Sequence, residues 1–503
     1  MLCREFGAVK IAFVTPELDP MVRKTPLAEL ARVLPRALNQ TGNEVRIFLP
    51  SADGLDLTGL PPLEPLGVVP VGPGDAATTF SIRKTELDGM TIYVFGHPAL
   101  FKDRQPYGND EGPYRDNGKR YAAFSRAVLA SLTIVDFAPD VIHCLDWTTG
   151  LVPVIREVEY VQREPEHPAS KAGVYFHITN LATQGSFERD LLPQIGLPLS
   201  LFQRVDGIEL GGKVNFLKAG CEFSTILGTN SIGHARRIQE QDRGYGLEET
   251  FRRRSKELVG IPTGVDYKTW NPETDTLLAQ TFGVADRNLN GKKRCKAALQ
   301  QQLSLEKAPR SPLIALLGRF DTDNGFDLVA EQLTSILEHG FEVVLMGGGR
   351  QDIHERLKTL ETSFPGRCRL IEGYYANSAH AILGAADFLL FPSHYAAGSA
   401  QCAIAMRYGV VPIVYAGSGL EDYVLDYTTN QRTGTGFHFR TYTGEGLLGG
   451  VDEGRKLYKD QAAWNTLVRR CLKQDFSWQA TAAEYVKAYR RVLRRTKPRE
   501  KSA

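Results

Sequence analysis

The sequence predicts an α/β protein of two Rossmann-like domains, and three observations carry that prediction. Short β-branched runs alternate with helical stretches from end to end, the pattern of βαβ units and parallel sheets. The alternation pauses around 240–295 and resumes at a new strand near Pro312. The chain's 503 residues also exceed what one hydrophobic core usually serves.

In the first half, strands are read at VKIAFVTP, EVRIFLPS, TTFSIRKTEL, MTIYVFGHP, DVIHCLDW, AGVYFHIT and STILGTNS. Between the first two, PLAELARVLPRALNQTG sets Leu27, Leu30, Ala31 and Leu34 on one apolar stripe, with a stop signal around Gly42. In the second half, strands are read at PLIALLGR, EVVLMGGG, RCRLIEGY, FLLFPS and VPIVYAG. The helices FDLVAEQLTSILEHG, DIHERLKTLETSFPG and AHAILGAAD lie between them. This spacing places an N-terminal domain over 8–255 and a C-terminal domain over 256–477. A helix over 478–495, which by periodicity could pack on either, and a basic tail over 496–503 follow. Open α/β sheets bind ligands at the carboxyl ends of their strands, so a site is expected in a cleft between the domains.

Composition narrows the class. Apolar residues make up 42% and charged residues 23%, an ordinary globular balance. A formal charge of +2 gives no electrostatic ground for nucleic acid or an anionic membrane as partner. Cysteines at 3, 144, 221, 295, 368, 402 and 471 form no CxxC pair, which favours free thiols in a reducing cytoplasm. Neither a signal peptide nor an apolar run near the ~20 residues of a membrane span is read.

The first strand runs into LDPMVRKT and not GxGxxG, which excludes the dinucleotide fingerprint. MGGGR at 346–350 reads either as a tight strand-to-helix turn or as an approach for a phosphate or base. In the DTD run, Asp321 or Asp323 is expected to cap the next helix rather than to hold a metal. HCLDW puts His143 and Asp146 at a strand end, where a cleft-facing pair and a core histidine are both open readings. His177, inside VYFHIT, is expected in the interior; Glu372 and His380, flanking GYYANSAH, read as loop polarity. No Ser–His–Asp grouping, HExxH or P-loop lysine is present, so the residues alone stop at a cleft for a phosphorylated or nucleotide ligand.

A resemblance takes this further. PYGNDEGPYRDNGKRYAAFSRAVL, HCLDWTTGLVPV, HITNLATQGSFERDLLPQIGLP and GGKVNFLKAGCEFS occur in order. They are followed by GYGLEETFRRRSKELVGIPTGVDYKTWNPETD, GRFDTDNGFDLVAEQL, AADFLLFPSHYAAGSAQCAIAMRYGVVPIV and TGTGFHF. Over nearly the whole chain these runs resemble the bacterial glycogen synthase and plant starch synthase family. The resemblance implies a GT-B fold whose last helix returns to the N-terminal domain. It implies transfer of glucose from ADP-glucose to the non-reducing end of an α-1,4-glucan, with retention and with neither metal nor other cofactor. It carries Lys24 and Arg319 to donor-facing catalytic positions, and Asp146, Asn180, Gln184, Tyr374, His380 and Asp422 to substrate-binding positions; Gly348, in MGGGR, is a substrate-binding candidate on its glycine-rich stretch alone. Ser399, also substrate-binding, replaces a glycine at the start of the helix that faces the diphosphate.

Several family positions are substituted. The family loop Ser-Arg-Phe-Glu-Pro-Cys-Gly-Leu stands here as Ser393, His394, Tyr395, Ala396, Ala397, Gly398, Ser399 and Ala400. The sugar-binding glutamate is thus Ala396 and its neighbouring arginine His394. A lysine five residues after the phosphate arginine is Asn324, a histidine is Thr179, and a glycine pair after Lys24–Thr25 is shortened to Pro26. Losing one preorganised electrostatic group commonly lowers a rate ~10²–10³-fold. Two readings result: a synthase of reduced rate or altered donor, or a non-catalytic relative that binds glucan, nucleotide sugar or a partner synthase.

Overall fold

The computed structural model describes residues 7–52, 54–72, 78–286, 288–306, 311–396 and 398–496. Cys3, Ala397 and all but the first residue of the basic tail lie outside them. Two compact units are present: Met1–Asn230 with Ala235–Ile261 and Trp478–Ala503, and Ser231–His234 with Pro262–Ser477.

The first unit is built on a nine-stranded sheet. Its order is Leu258–Gly260, Ile226–Thr229, Gly173–Ile178, Val141–Leu145, Lys10–Val14, Glu44–Pro50, Met90–Gly96, Thr78–Leu87, Glu64–Val71. Pairing is parallel from Leu258–Gly260 to Met90–Gly96, and antiparallel for the last two strands. The purely parallel expectation fails at this edge. Glu64–Val71 carries Pro65 and Pro70, which hide it from a propensity reading and which an edge strand tolerates. The central strands are buried on both faces, as helix-covered parallel strands must be.

The helix Trp478–Thr496 packs within this unit on Leu27–Gln40 and on the strand Gly173–Ile178. Gly173 makes the approach possible, since a Cβ there would stand 2.3 Å from Val492 Cγ1. The same helix corrects the cleft-facing reading of His143. That imidazole is fully buried, with Nδ1 2.7 Å from Tyr489 Oη and Nε2 3.3 Å from His177 Nδ1. His177 is interior too, its Nε2 2.7 Å from Asn230 Oδ1. Burial pushes His143 well below the ordinary histidine range and His177 down to about 4.

The second unit holds a six-stranded, wholly parallel sheet. Its order is Cys368–Glu372, Glu342–Gly349, Leu313–Phe320, Phe388–Phe391, Val411–Tyr415, Phe437–Phe439. In chain order this is the 3-2-1-4-5-6 arrangement of the doubly wound fold, reversing between Leu313–Phe320 and Phe388–Phe391. The unit does not open on a strand near Pro312. A helix, Asn290–Gln302, precedes it and is anchored through two buried lysines. Lys292 Nζ donates to Tyr408 O at 2.9 Å, and Lys296 Nζ to Asp387 Oδ2 at 2.6 Å. Charged residues in an apparent pause thus belong to the core, which polarity alone conceals.

Among the described residues the six cysteines are buried and free, and no helix is long and apolar enough to cross a membrane.

Candidate functional site

The reversal of strand order in the second unit opens a cavity of about 310 Å³ at the carboxyl ends of Leu313–Phe320 and Phe388–Phe391. Gly318, Asn324, Ser393, Ala396, Ser399 and Gln401 are among its lining residues. Two strand-end loops bound it. In the first, Asp321 Oδ1 accepts from the Asn324 backbone N–H at 2.9 Å and from Asn324 Nδ2 at 2.8 Å. The next helix, Phe326–Glu338, begins after Gly325 with no side-chain cap, so neither Asp321 nor Asp323 caps it as expected. Asp321 closes the turn instead, as aspartates do in Asx turns.

The second loop is fastened to the first. Ser393 Oγ donates to Asn324 Oδ1 at 3.2 Å, and the His394 N–H donates to Asp323 O at 3.0 Å. Gly325 permits this closeness: a Cβ there would lie 2.4 Å from Pro392 O. The His394 ring stacks on Tyr415 and meets Tyr442 edge-on. The Ala396 N–H donates to Ser418 O at 2.8 Å, and its side chain brings a methyl group, and no polar atom, to the cavity wall. Ser399 Oγ accepts from the Gln401 N–H at 3.4 Å, at the start of the helix Gln401–Arg407.

Arg319 lies on the strand beside this cavity with its side chain 78% exposed, 3.3 Å from Asp321 Oδ2. Gly348 is its register partner on Glu342–Gly349, and a Cβ there would meet open space. MGGGR is therefore mostly strand rather than turn. Gly347 and Gly349 serve the contact with the neighbouring strand, for their Cβ atoms would stand 1.8 Å from Gly318 O and 2.3 Å from Phe320 O. Tyr374 is exposed at a strand end. His380 is not loop polarity: it lies in the helix Ala376–Ala385, stacked on Trp270 with centroids 4.0 Å apart. Its Nδ1 is 2.7 Å from Asp275 Oδ2, a carboxylate that also accepts from Tyr408 Oη. Asp422 accepts from the Ile232 N–H at 2.6 Å and the Gly233 N–H at 3.1 Å, so both its oxygens hold backbone.

A second polar cluster sits at the corresponding reversal in the first unit, after Lys10–Val14 and Val141–Leu145. Asp146 Oδ1 accepts from the Thr179 N–H at 2.7 Å and the Asn180 N–H at 3.3 Å, and Oδ2 accepts from the Thr179 hydroxyl. Burial pushes Asp146 up to about 6, opposed by the Thr179 hydrogen bonds. Asn180 Oδ1 caps Ala182 N–H at 2.9 Å, and Gln184 Oε1 accepts from Asn215 Nδ2 at 2.7 Å. Lys24 is exposed, and its backbone is held by Glu17, a fully buried residue that no sequence motif singles out. The signal available was position: Glu17 stands three residues past the first strand.

Two family models match the chain, a starch synthase catalytic domain over residues 10–253 and a group 1 glycosyl transferase domain over residues 300–466. A glycogen synthase from Anaeromyxobacter sp. (strain Fw109-5) is 34% identical over 484 residues, 96% of this chain and 99% of the relative. The chain belongs to the glycogen synthase and starch synthase family of glucosyltransferases. Glycogen synthase 2 from Bradyrhizobium diazoefficiens is likewise 34% identical, over 96% of this chain and 98% of its own.

Among solved structures, the catalytic domain of starch synthase IV from Arabidopsis thaliana, bound to ADP and acarbose, matches at 30% identity with a TM-score of 0.77. The match covers 97% of this chain and 100% of that one, and the fold is GT-B. Sucrose-phosphate synthase from Thermosynechococcus elongatus shares the fold at 17% identity and a TM-score of 0.52. Nucleotide sugar and glucan are the substrates that glycogen/starch synthase membership implies. Four of the positions at which the resemblance implies a substitution fall into two groups. Asn324, His394 and Ala396 stand at or beside the second-unit cavity, and Thr179 on Asp146.

Proposed function

We propose that this chain transfers glucose from ADP-glucose to the non-reducing end of an α-1,4-glucan, in the cytoplasm, as a step of glycogen biosynthesis. The observation that carries the proposal is the cavity at the strand-order reversal, lined in part by Gly318, with the exposed Arg319 next along the same strand. Transfer leaves charge on the departing diphosphate, which a preorganised cation meets with little reorganisation. Arg319 takes that role, with Lys24 as a further donor-side cation. Asp146, Asn180, Gln184, Gly348, Tyr374 and Ser399 are assigned to the substrates. His380 and Asp422 act through the packing and backbone they hold. Boundaries at 8–255, 256–477 and 478–495 go with this reading.

Asn324 and Ala396 set the rate. Asn324 is neutral and its amide is taken up by Asp321 and Ser393, and Ala396 offers no carboxylate to a sugar hydroxyl. Transfer is therefore slow compared with a site holding both groups, by a factor of the order of 10² or more. The test is incorporation of labelled glucose into glycogen from ADP-glucose, with UDP-glucose alongside. Sustained incorporation abolished by Arg319→Ala supports the proposal. The alternative is a relative that binds without turnover; no incorporation from either donor, with glycogen still retained, would select it.

A further inference from the structure

Glu17 lies at the carboxyl end of the central strand of the first unit, with no exposed surface. Its carboxylate accepts four hydrogen bonds. Oε2 takes the backbone N–H groups of Lys24 at 2.6 Å and Thr25 at 2.8 Å. Oε1 takes the Thr25 hydroxyl at 2.8 Å and the Tyr107 hydroxyl at 2.5 Å. A carboxylate offers about four acceptor positions, so this one is saturated. None of the four donors carries a charge, and three of them belong to the Lys24–Thr25 segment.

The backbone of Glu17 is fixed in turn. Thr15 Oγ1 donates to Glu17 O at 2.7 Å and accepts from the Glu17 N–H at 3.3 Å. On the far side, Tyr107 is held by Asn117 Nδ2, which donates to its carbonyl at 2.8 Å, and its ring lies 6.3 Å from that of Trp147. Thr25 Oγ1 accepts from the Leu27 N–H at 3.3 Å, joining the segment to the helix Leu27–Gln40. One side chain thus ties the strand end, the segment before that helix and the Tyr107 loop together.

The shortened loop restricts what this segment can give a ligand. Pro26 brings no N–H, and the amides of Lys24 and Thr25 point inward to Glu17. The segment therefore has no backbone nest to offer an anion; it offers the exposed Lys24 ammonium. We infer that Glu17 is the positioning residue that presents Lys24 to the donor and locks that presentation to Tyr107. This rests on the donor-side reading of Lys24.

The experiment is a double-mutant cycle on the full chain, combined with amide hydrogen exchange. Glu17→Gln keeps the shape and loses acceptor capacity, so the Lys24 and Thr25 amides should exchange at least about tenfold faster, the effect of one lost anchor. In transfer assays, KM for ADP-glucose should rise about tenfold with KM for glycogen unchanged, and Glu17→Asp should recover part of the loss. Glu17→Gln added to Lys24→Ala should have no further effect on the donor, because the two act through one group. Full additivity, or unchanged exchange at both amides, overturns the inference. If Glu17→Gln does not fold, Tyr107→Phe removes one of the four donors and must shift exchange at Lys24 and Thr25. A wild-type chain without transfer would refute the proposed function, while exchange at those amides still decides the role of Glu17.

Discussion

Asn324 and Asp321 form a closed pair at the carboxyl end of the strand Leu313–Phe320, with the Asp321 carboxylate accepting from both the backbone and the side-chain amide of Asn324. The remaining Asn324 oxygen takes the Ser393 hydroxyl, so the residue fastens two strand-end loops at a position where the resemblance implies a lysine. Asn324→Lys should therefore lower stability by about 1 kcal/mol when made alone, the net worth of one or two lost hydrogen bonds. Together with Ala396→Glu and Thr179→His it should raise the transfer rate. Chemical denaturation and labelled-glucose incorporation measure the two effects, and a triple variant that folds without a gain in rate would contradict the assignment.

Arg319→Ala should lower transfer by about 10²–10³. Because the side chain is 78% exposed and its pairing with Asp321 is a surface one, unfolding free energy should change by less than about 1 kcal/mol. Rate and denaturation midpoint on the same preparation separate the two.

Gly347 and Gly348 should respond oppositely to alanine. Gly347→Ala drives a Cβ against Gly318 O and should destabilise by about 1–3 kcal/mol through overpacking. Gly348→Ala enters open space, so stability should hold while KM for ADP-glucose rises if that face receives the donor. Thermal unfolding and donor titration decide it.

The buried histidines make the first unit acid-sensitive. For His177 the folded value is depressed to about 4 from 6.5, so its contribution is full above 6.5 and is lost as pH falls toward 4. At 1.36 kcal/mol per pH unit that is about 3 kcal/mol. His143 acts in the same direction. Asp146 opposes them: its folded value, raised to about 6, favours folding at low pH and loses that benefit as pH rises through 6. The contributions of the two imidazoles thus fall on acidification while that of Asp146 rises. His177→Gln should flatten the slope of unfolding free energy between pH 6.5 and 4 by about one proton, and an unchanged slope would show that His177 is not the titrating group.

The legible part of the fold is the part whose signal is burial. Twelve of the fifteen strands in the two large sheets were readable, because apolar runs report burial directly. Glu64–Val71 is illegible because its prolines suit an edge, and Leu258–Gly260 and Phe437–Phe439 because three residues carry too little pattern. The helix Asn290–Gln302 was hidden by lysines whose ammonium groups are satisfied by carbonyls and a carboxylate far along the chain.

Periodicity suffices for the alternating α/β class, and the ordered motif runs carry the resemblance to the glycogen and starch synthase family, which implies the substituted positions. Which partners the remaining groups touch was decided by the folded arrangement. Glu17 meets Tyr107 across 90 positions, and His143 meets Tyr489 across 346. Hydrogen bonds act over about 3 Å, so which donor satisfies a buried group depends on how the sheets bring distant loops together. No local pattern in the chain encodes that.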